Sequence, residues 1–301
     1  MKVSVLMGGT SAERDVSLKT GNAVMNACQE LGHDAMAVDF IGDYNIILDD
    51  LKYSDMVFNA LHGSVGEDGT IQSWLDSNSI KYTGSGPSAS RLCMNKNESK
   101  KIIRKNNYST PAWLAIKNID KVNIDEIIQS IDFPCIVKPN AQGSTFGLSI
   151  ANDNTELIEA IKLARTFDNI IIIEQYIVGR EITVGILGEK ALPIVEIIPN
   201  HQLYDYECKY SAGMSKYICP AKIDSKKENQ IKKHSEKIFK IMGCSGYGRI
   251  DYLLDENGRH FFLELNTLPG MTATSLFPLS ADRSGKSFAQ LVNTIIGLSF
   301  S

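Results

Sequence analysis

The stretch GRIDYLLDENGRHFFLELN, residues 248–266, decides how the rest of the chain is read. Two runs rich in strand-forming residues flank Asp255-Glu256-Asn257-Gly258, and Asn-Gly between alternating runs is the strongest short hairpin signal. With Asn257 and Gly258 as a two-residue loop, Glu256 faces Arg259, Asp251 faces Glu264 and Arg249 faces Asn266 down an antiparallel ladder. The period of two then puts Arg249, Asp251, Glu264 and Asn266 on one face. It puts Ile250, Tyr252, Leu254, Phe261, Leu263 and Leu265 on an apolar core face. Like charges directly opposite each other destabilise a sheet, so the two carboxylates require a compensating cation. Hard oxygen ligands from carboxylates and an amide suit Mg2+ and not zinc, which takes His or Cys. The alternative is that both carboxylates face solvent and Arg249 pairs with one of them. A different loop length would also shift the register, so hairpin geometry alone leaves both readings open.

Around this hairpin the composition is that of an ordinary globular chain, with 43% hydrophobic and 22% charged among 301 residues. Above about 250–300 residues single cores usually divide, and we expect three domains. A net charge of -4 argues against a general affinity for nucleic acid or anionic membrane and leaves small molecules as the expected partners. The six cysteines form no CxxC pair and read as reduced thiols. The apolar run in MKVSVLMGG is too short for a signal-peptide core, and no stretch approaches 18 apolar residues, so the expected location is cytoplasmic.

At the start, Val3 to Met7 reads as a strand, Gly8-Gly9-Thr10-Ser11 as a turn, and Val16, Thr20, Val24, Ala27 and Leu31 as one face of a helix. Strands at Ala35–Phe40 and Met56–Leu61 follow, giving an α/β beginning with a parallel sheet. The Gly/Ser/Pro cluster from Tyr82 to Ser90 marks a boundary. Beyond it, a charged helix over Asn97–Asn106 precedes strands at 135–138, 148–150 and 170–174, with a helix over Thr155–Thr166. From Glu181 the pattern is strand-rich. A Lys-rich helix over about 226–242 reads as a solvated face above a buried stripe.

Several further segments carry chemistry of their own. The Gly8–Ser11 turn is neither GxGxxG nor GxxxxGK[ST]; it is either an anion-binding helix start or a plain tight turn. Glu13 after it either meets a ligand ammonium or favours the helix dipole. In CIVKPNAQGSTFG, residues 135–147, Lys138 ends a strand before a loop of small residues, as a phosphate-covering loop requires, although a hairpin with an exposed lysine fits as well. His62 lies among glycines and acids in HGSVGEDG. No GxSxG or HExxH occurs and the five histidines do not cluster, which leaves metal-assisted phosphoryl chemistry.

Taken together, GGTSAERDVSLKTG, ALHGSVGEDGTIQ, YTGSGPSAS with Met94-Asn95-Lys96, IVKPNAQGSTFG, IIEQYIVGREITV, YDYECKY, GYGRIDYLLD and FFLELNTLPGMTATSL resemble the ATP-grasp superfamily and, within it, the D-alanine:D-alanine ligase family of bacterial cell-wall synthesis. The resemblance covers essentially the whole chain. It implies an α/β fold, α+β in the C-terminal lobes: a Rossmann-like substrate domain over 1–90, a central ATP-grasp lobe over 91–179, and a C-terminal lobe with the metal site over 180–301. It implies ATP as co-substrate, two Mg2+ ions for which Mn2+ can substitute, a homodimer, and a role in peptidoglycan precursor synthesis, cell-wall biogenesis and cell shape. The implied reaction passes the γ-phosphoryl of ATP to the carboxylate of one D-alanine, and the amine of a second attacks the acyl phosphate.

By the same resemblance Lys96 and Lys138 bind ATP, Glu174, Gln175, Tyr176 and Ile177 line the adenine pocket, and Glu181 holds the ribose hydroxyls. Asp251, Glu264 and Asn266 hold the metal. Lys209 and Arg249 neutralise the transferring phosphoryl, and Arg249 also faces the tetrahedral oxyanion. Glu13 holds the first substrate's ammonium, Ser144 and Tyr210 link it to the loop over the site, and His62 lies near that substrate. Gly270, Ser275 and Leu276 form the pocket for the second carboxylate. Loops 143–147 and about 205–217 close as lids. Two positions depart from the family pattern: Asn95 stands where Asp is usual, and Phe146 is larger than the usual residue. Tyr210 favours amine attack over the D-lactate-using relatives. A ligase for another amino or hydroxy acid, and a nucleotide-binding module that has lost catalysis, remain as alternatives.

Overall fold

A computed structural model of the chain describes residues 1–117, 124–201, 204, 208, 211, 213–272 and 274–300. Three sheets organise it. The first is parallel, in the order β2-β1-β3, from β1 (Lys2–Gly8), β2 (Asp34–Phe40) and β3 (Met56–Asn59). Helix α1 (Arg14–Glu30) crosses from β1 to β2 and buries Thr20, Val24 and Ala27 of the predicted face, joined by Cys28, while Val16 and Leu31 at its two ends are half-buried. Helices α2 (Tyr44–Lys52), α3 (Thr70–Ser77), α4 (Pro87–Met94) and α5 (Lys96–Lys105) lead away from it.

The second sheet is antiparallel, in the order β4-β7-β5-β6, from β4 (Trp113–Ile116), β5 (Cys135–Pro139), β6 (Ser149–Ala151) and β7 (Ile171–Gln175). Helices α6 (Ile124–Ser130) and α7 (Asn154–Arg165) cover one face, where Leu157, Ile161 and Ala164 pack on Val137, Ile171 and Ile173. Asp153 caps α7 by accepting from the amides of Thr155 and Glu156.

The third sheet runs β11-β10-β8-β12-β13, with β8 (Arg180–Leu187), β9 (Lys190–Ala191), β10 (Val195–Pro199), β11 (Ser215–Ile218), β12 (Tyr247–Leu254) and β13 (His260–Asn266); β9 pairs with β8. Helix α8 (Ser225–Ile241) buries Ile231, Ile238 and Phe239 on it and turns its lysines outward. The chain ends in α9 (Leu276–Arg283) and α10 (Phe288–Leu298), whose Phe277, Leu291 and Ile295 share one core with Val5, Val24 and Phe58 of the first sheet and its helix. No helix among the described residues is long and apolar enough to cross a membrane.

The β12–β13 hairpin corrects the sequence reading in detail and keeps it where the site lies. The loop is one residue longer than Asn-Gly alone predicts. Asp255 N donates to Arg259 O at 2.9 Å, Gly258 N donates to Asp255 O at 3.0 Å, and Gly258 takes the left-handed φ of +71 that such a three-residue loop requires. Arg259 therefore faces Asp255 and not Glu256, and its Nε lies 2.7 Å from that carboxylate. Leu254 then faces His260, Leu253 faces Phe261 and Tyr252 faces Phe262, until a bulge between Asp251 and Tyr252 shifts the ladder. The bulge leaves Leu263 as the extra residue and restores the expected pairs, Asp251 with Glu264 and Arg249 with Asn266. Its second effect is on the core: Phe262, fully buried and 6.3 Å from the Tyr252 ring, takes the place expected for Phe261 and Leu263. Leu263 and Leu253 turn to a cavity instead.

Candidate active site

Two cavities, of about 510 and 410 Å³, lie between the sheets and share Gly143, Tyr204 and Glu264 in their walls. Lys96, Lys138, Glu174, Gln175, Tyr176, Ile177, Glu181, Asp251 and Glu264 line the first. Glu13, His62, Ser144, Arg249, Glu264, Asn266, Gly270, Ser275 and Leu276 line the second. The fold thus brings every described candidate residue to one or both cavities. Lys209 and Tyr210 lie outside the described residues, as do residues 205–207 and 212 of the loop at about 205–217.

In the first cavity β5 delivers Lys138 beside Glu174 of β7, with Nζ 2.5 Å from Oε1. The other carboxylate oxygen of Glu174 accepts from Lys100 at 2.9 Å. Burial opposes the charge on Glu174, but the two ammonium groups outweigh it and bring its pKa down to about 2. Burial lowers the Lys100 ammonium to about 8, with Glu174 holding part of the charge in place. Lys96 is buried at the start of α5; its Nζ donates to Gln142 O at 2.8 Å and lies 3.0 Å from Glu264 Oε2. Phe146 stacks on Phe167 with centroids 6.1 Å apart, so the large residue of this loop is packed against the end of the neighbouring helix.

At the junction of the cavities the hairpin face carries the predicted group. Asp251 accepts from Arg249 Nε at 2.9 Å and Nη2 at 2.8 Å, from Asn266 Nδ2 at 3.0 Å and from Thr183 Oγ1 at 2.5 Å. Burial opposes the Arg249 charge, and the ion pair with Asp251 outweighs it, holding the guanidinium above its ordinary pKa. The compensating cations in this arrangement are therefore Arg249 for Asp251 and Lys96 for Glu264. The oxygen-rich set of Asp251, Glu264 and Asn266 has the donor chemistry of a hard divalent ion. Among the described residues no three His, Cys, Asp or Glu side chains cluster to hold a metal by themselves. Such an ion would depend on the Asn266 amide and on water or phosphate oxygens, as Mg2+ does.

The second cavity opens at the N-terminus of α1. Glu13 is buried and does not cap its helix with its side chain; its carboxylate accepts a hydrogen bond from Ser144 Oγ. A Cβ on Gly63 would sit 2.7 Å from Glu13 Oε2, and one on Gly143 would sit 3.2 Å from it, so these two glycines make the space the carboxylate occupies. His62 is buried, with Nε2 3.0 Å from Thr20 Oγ1 and Nδ1 3.5 Å from Glu67 Oε1. The amides of Gly8 and Gly9 are spent within the protein, on Ser17 Oγ at 2.9 Å and Phe40 O at 2.7 Å, so at those two residues the glycine turn is structural and not an anion site. Opposite, Ser275 Oγ accepts from Thr272 N at 3.0 Å, and Leu276 begins α9. Thr145 Oγ1 donates to Tyr204 O at 3.0 Å, tying loop 143–147 to the segment that begins YDYECKY.

Four residues in this network escaped the sequence reading: Lys100, Thr110, whose Oγ1 accepts from Lys100 Nζ at 2.7 Å, Thr183 and Tyr204. Tyr204, half-buried and joined to Tyr217 by a 3.0 Å contact between hydroxyls, has its pKa raised by its burial and by that bond. The one signal for Lys100 was its place one turn after Lys96, on the helix face that also buries Ile103.

This arrangement has counterparts. Models described as D-ala D-ala ligase N-terminus and D-ala D-ala ligase C-terminus match residues 46–85 and 102–297. The chain belongs to the D-alanine–D-alanine ligase family. A member from Pelotomaculum thermopropionicum, named D-alanine–D-alanine ligase, is 42% identical over 309 residues, covering 99% of this chain and 96% of its own. The crystal structure of D-alanine–D-alanine ligase from Bacillus anthracis has a TM-score of 0.90 at 36% identity, covering 100% of this chain and 97% of that one. The Bacillus anthracis ligase complexed with ATP has a TM-score of 0.88 at 34% identity, with the same coverage. The mixed helix-and-sheet fold of this family, an ATP-grasp fold, agrees with the fold class read from the sequence.

Proposed function

We propose that the two joined cavities are the nucleotide and D-alanine halves of one active site, in which ATP drives the formation of D-alanyl-D-alanine for peptidoglycan precursors. The observation that carries this reading is the shared wall: Glu264 of the carboxylate pair lies in both cavities, at the place where a phosphoryl group would pass from one to the other.

On this reading adenine lies along Glu174–Ile177, with Leu253 and Leu263 as apolar contacts and Glu181 at the ribose. Lys96 and Lys138 neutralise the phosphates, and Lys209 joins them. Asp251, Glu264 and Asn266 hold Mg2+, which when bound supplies positive charge to the phosphate oxygens. Glu13, held by Ser144, takes the ammonium of the first D-alanine, with His62 beside it. Its carboxylate then points toward Arg249, which balances the charge that develops on the carbonyl oxygen when the second amine attacks. Gly270, Ser275 and the start of α9 receive the second carboxylate, where a helix N-terminus favours negative charge. Loop 143–147, with Tyr210 in the role the family resemblance gives it, excludes the water that would hydrolyse the acyl phosphate. We assign the three sheets to three domains divided near residues 90 and 179, and a cytoplasmic homodimer belongs to the same reading.

The acyl phosphate has a direct test. If the carboxylate attacks phosphorus and the amine later expels phosphate, one carboxylate oxygen must leave with that phosphate. D-alanine labelled with oxygen-18 in its carboxylate should therefore yield singly labelled inorganic phosphate. Unlabelled phosphate alongside dipeptide would rule the intermediate out.

A further inference from the structure

We propose that Lys100 is a positioning residue for the nucleotide: it compensates Glu174, sets the Lys138 ammonium at the wall of the first cavity, and ties that pair to the strand carrying Glu264. The proposal rests on the reading of the first cavity as the ATP site.

Lys100 is fully buried and lines neither cavity, so it touches no ligand. An ammonium in such a place needs partners for its charge and its protons. It has two: Nζ donates to Glu174 Oε2 at 2.9 Å and to Thr110 Oγ1 at 2.7 Å. Thr110 in turn donates to Phe262 O at 2.8 Å, and Phe262 stands two residues before Glu264 on β13. The other oxygen of Glu174 holds Lys138. A continuous chain of hydrogen bonds therefore runs from Lys138 in the second sheet, through Glu174, Lys100 and Thr110, to the metal-bearing strand of the third.

The charge count gives this chain a purpose. Glu174 and Lys138 alone would form a neutral pair, and the carboxylate would compete with phosphate for the lysine. With Lys100 on its second oxygen, Glu174 is already balanced, and the cluster presents one net positive charge to the cavity through Lys138. Glu174 then serves as a fixed support for that ammonium instead of cancelling it. Lys96, one turn earlier on the same helix, reaches the cavity directly, so α5 supplies one lysine to the cavity wall and a second to the support behind it.

The test is binding of a non-hydrolysable ATP analogue with Mg2+, by calorimetry, to the full-length wild type, Lys138→Ala, Lys100→Met, Thr110→Val, Glu174→Gln and the Lys100→Met/Glu174→Gln double variant. Circular dichroism melts run in parallel. We expect Lys100→Met to weaken nucleotide binding about tenfold or more, as loss of a charge-assisted contact predicts, with the KM for D-alanine little changed. Thr110→Val should weaken it less, by about threefold. In the Glu174→Gln background Lys100→Met should add nothing, because the carboxylate it compensates is gone. A purely structural role would lower the melting temperature without this dependence on Glu174. Wild-type affinity in folded Lys100→Met, or in Thr110→Val should Lys100→Met not fold, overturns the proposal. So does a Lys100→Met effect that is undiminished in the Glu174→Gln background. Failure of the wild type to bind the analogue, or binding by Lys138→Ala equal to the wild type, would instead remove the ATP reading on which the proposal stands.

Discussion

Replacing Glu174 by Gln should cost about 3 kcal/mol of stability at neutral pH, and the cost should vanish in acid. Glu174 is 3% exposed between Lys100 and Lys138, with contacts of 2.9 and 2.5 Å. Burial pushes its pKa up, the two lysines push it down, and the balance takes it from 4.5 to about 2. With the folded-state value below the unfolded one, the unfolded chain takes up the proton first as pH falls. The stabilisation is therefore complete above about pH 4.5 and is lost as pH falls through about 2. At about 1.4 kcal/mol per tenfold change in proton affinity, this amounts to about 3 kcal/mol at pH 7. Removing one member of a buried ion pair costs about 3–5 kcal/mol by mutation, which agrees. Lys100 acts in the opposite sense. Burial lowers it from 10.5 to about 8, so between those values the unfolded chain binds the extra proton and stability rises with pH. Trp113 reports on the site, since it pairs with Glu174 across β4 and β7 and its ring centroid is 5.2 Å from Lys100 Nζ. Urea unfolding followed by its fluorescence should show the Glu174→Gln midpoint about 1 M lower at pH 7, for a slope of about 3 kcal/mol/M. The gap should shrink steadily below about pH 4.5. A difference under about 1 kcal/mol at pH 7, or one that stays constant from pH 7 to 3, would refute the reasoning.

Three further outcomes follow from the geometry. Glu264→Gln should reduce turnover by about a hundredfold or more at ordinary Mg2+ while circular dichroism stays native, because it takes the negative charge from a carboxylate outside the core that is proposed to hold Mg2+; normal ADP release would remove Glu264 from the proposed metal set. Lys138→Ala should raise the KM for ATP by about tenfold or more, and an unchanged ATP dependence would exclude a phosphate contact. Gly63→Ala places a Cβ 2.7 Å from Glu13 Oε2 at a φ of +71, so it should raise the KM for D-alanine with little change in ATP binding; steady-state kinetics with each substrate varied would show the reverse if Glu13 served the nucleotide.

The hairpin shows what local sequence can and cannot carry. That Asp251, Glu264, Arg249 and Asn266 share a face was legible in the alternation of 248–266 alone. The loop length was not, because Asp-Glu-Asn-Gly satisfies both a two-residue turn and a type I turn closed by a left-handed glycine. The register survived because the bulge at Leu263 offsets the longer loop by one residue. Burial of Phe262 beside Tyr252 accompanies that bulge, and this is a packing outcome that no reading of single residues contains. At Gly8–Ser11 the sequence allowed an anion site or a tight turn, and the partners that fix the turn, Ser17 and Phe40, lie 9 and 31 residues beyond Gly8 and Gly9 respectively. Lys100 was hidden for the same reason: it reads as one charge on a charged helix, and its partner Glu174 is 74 residues away. Motifs that present several functional groups within one loop or strand could be read directly. Groups whose role comes from a distant partner could not.

The most direct test of the central claim is ADP release from purified protein given ATP and Mg2+, with D-alanine, L-alanine, or D-lactate plus D-alanine, and products identified by mass. D-alanyl-D-alanine formed only when D-alanine is present, in equal amount with ADP, is the predicted result. Nucleotide binding with no D-alanine-dependent ADP, or a product other than the dipeptide, would contradict it.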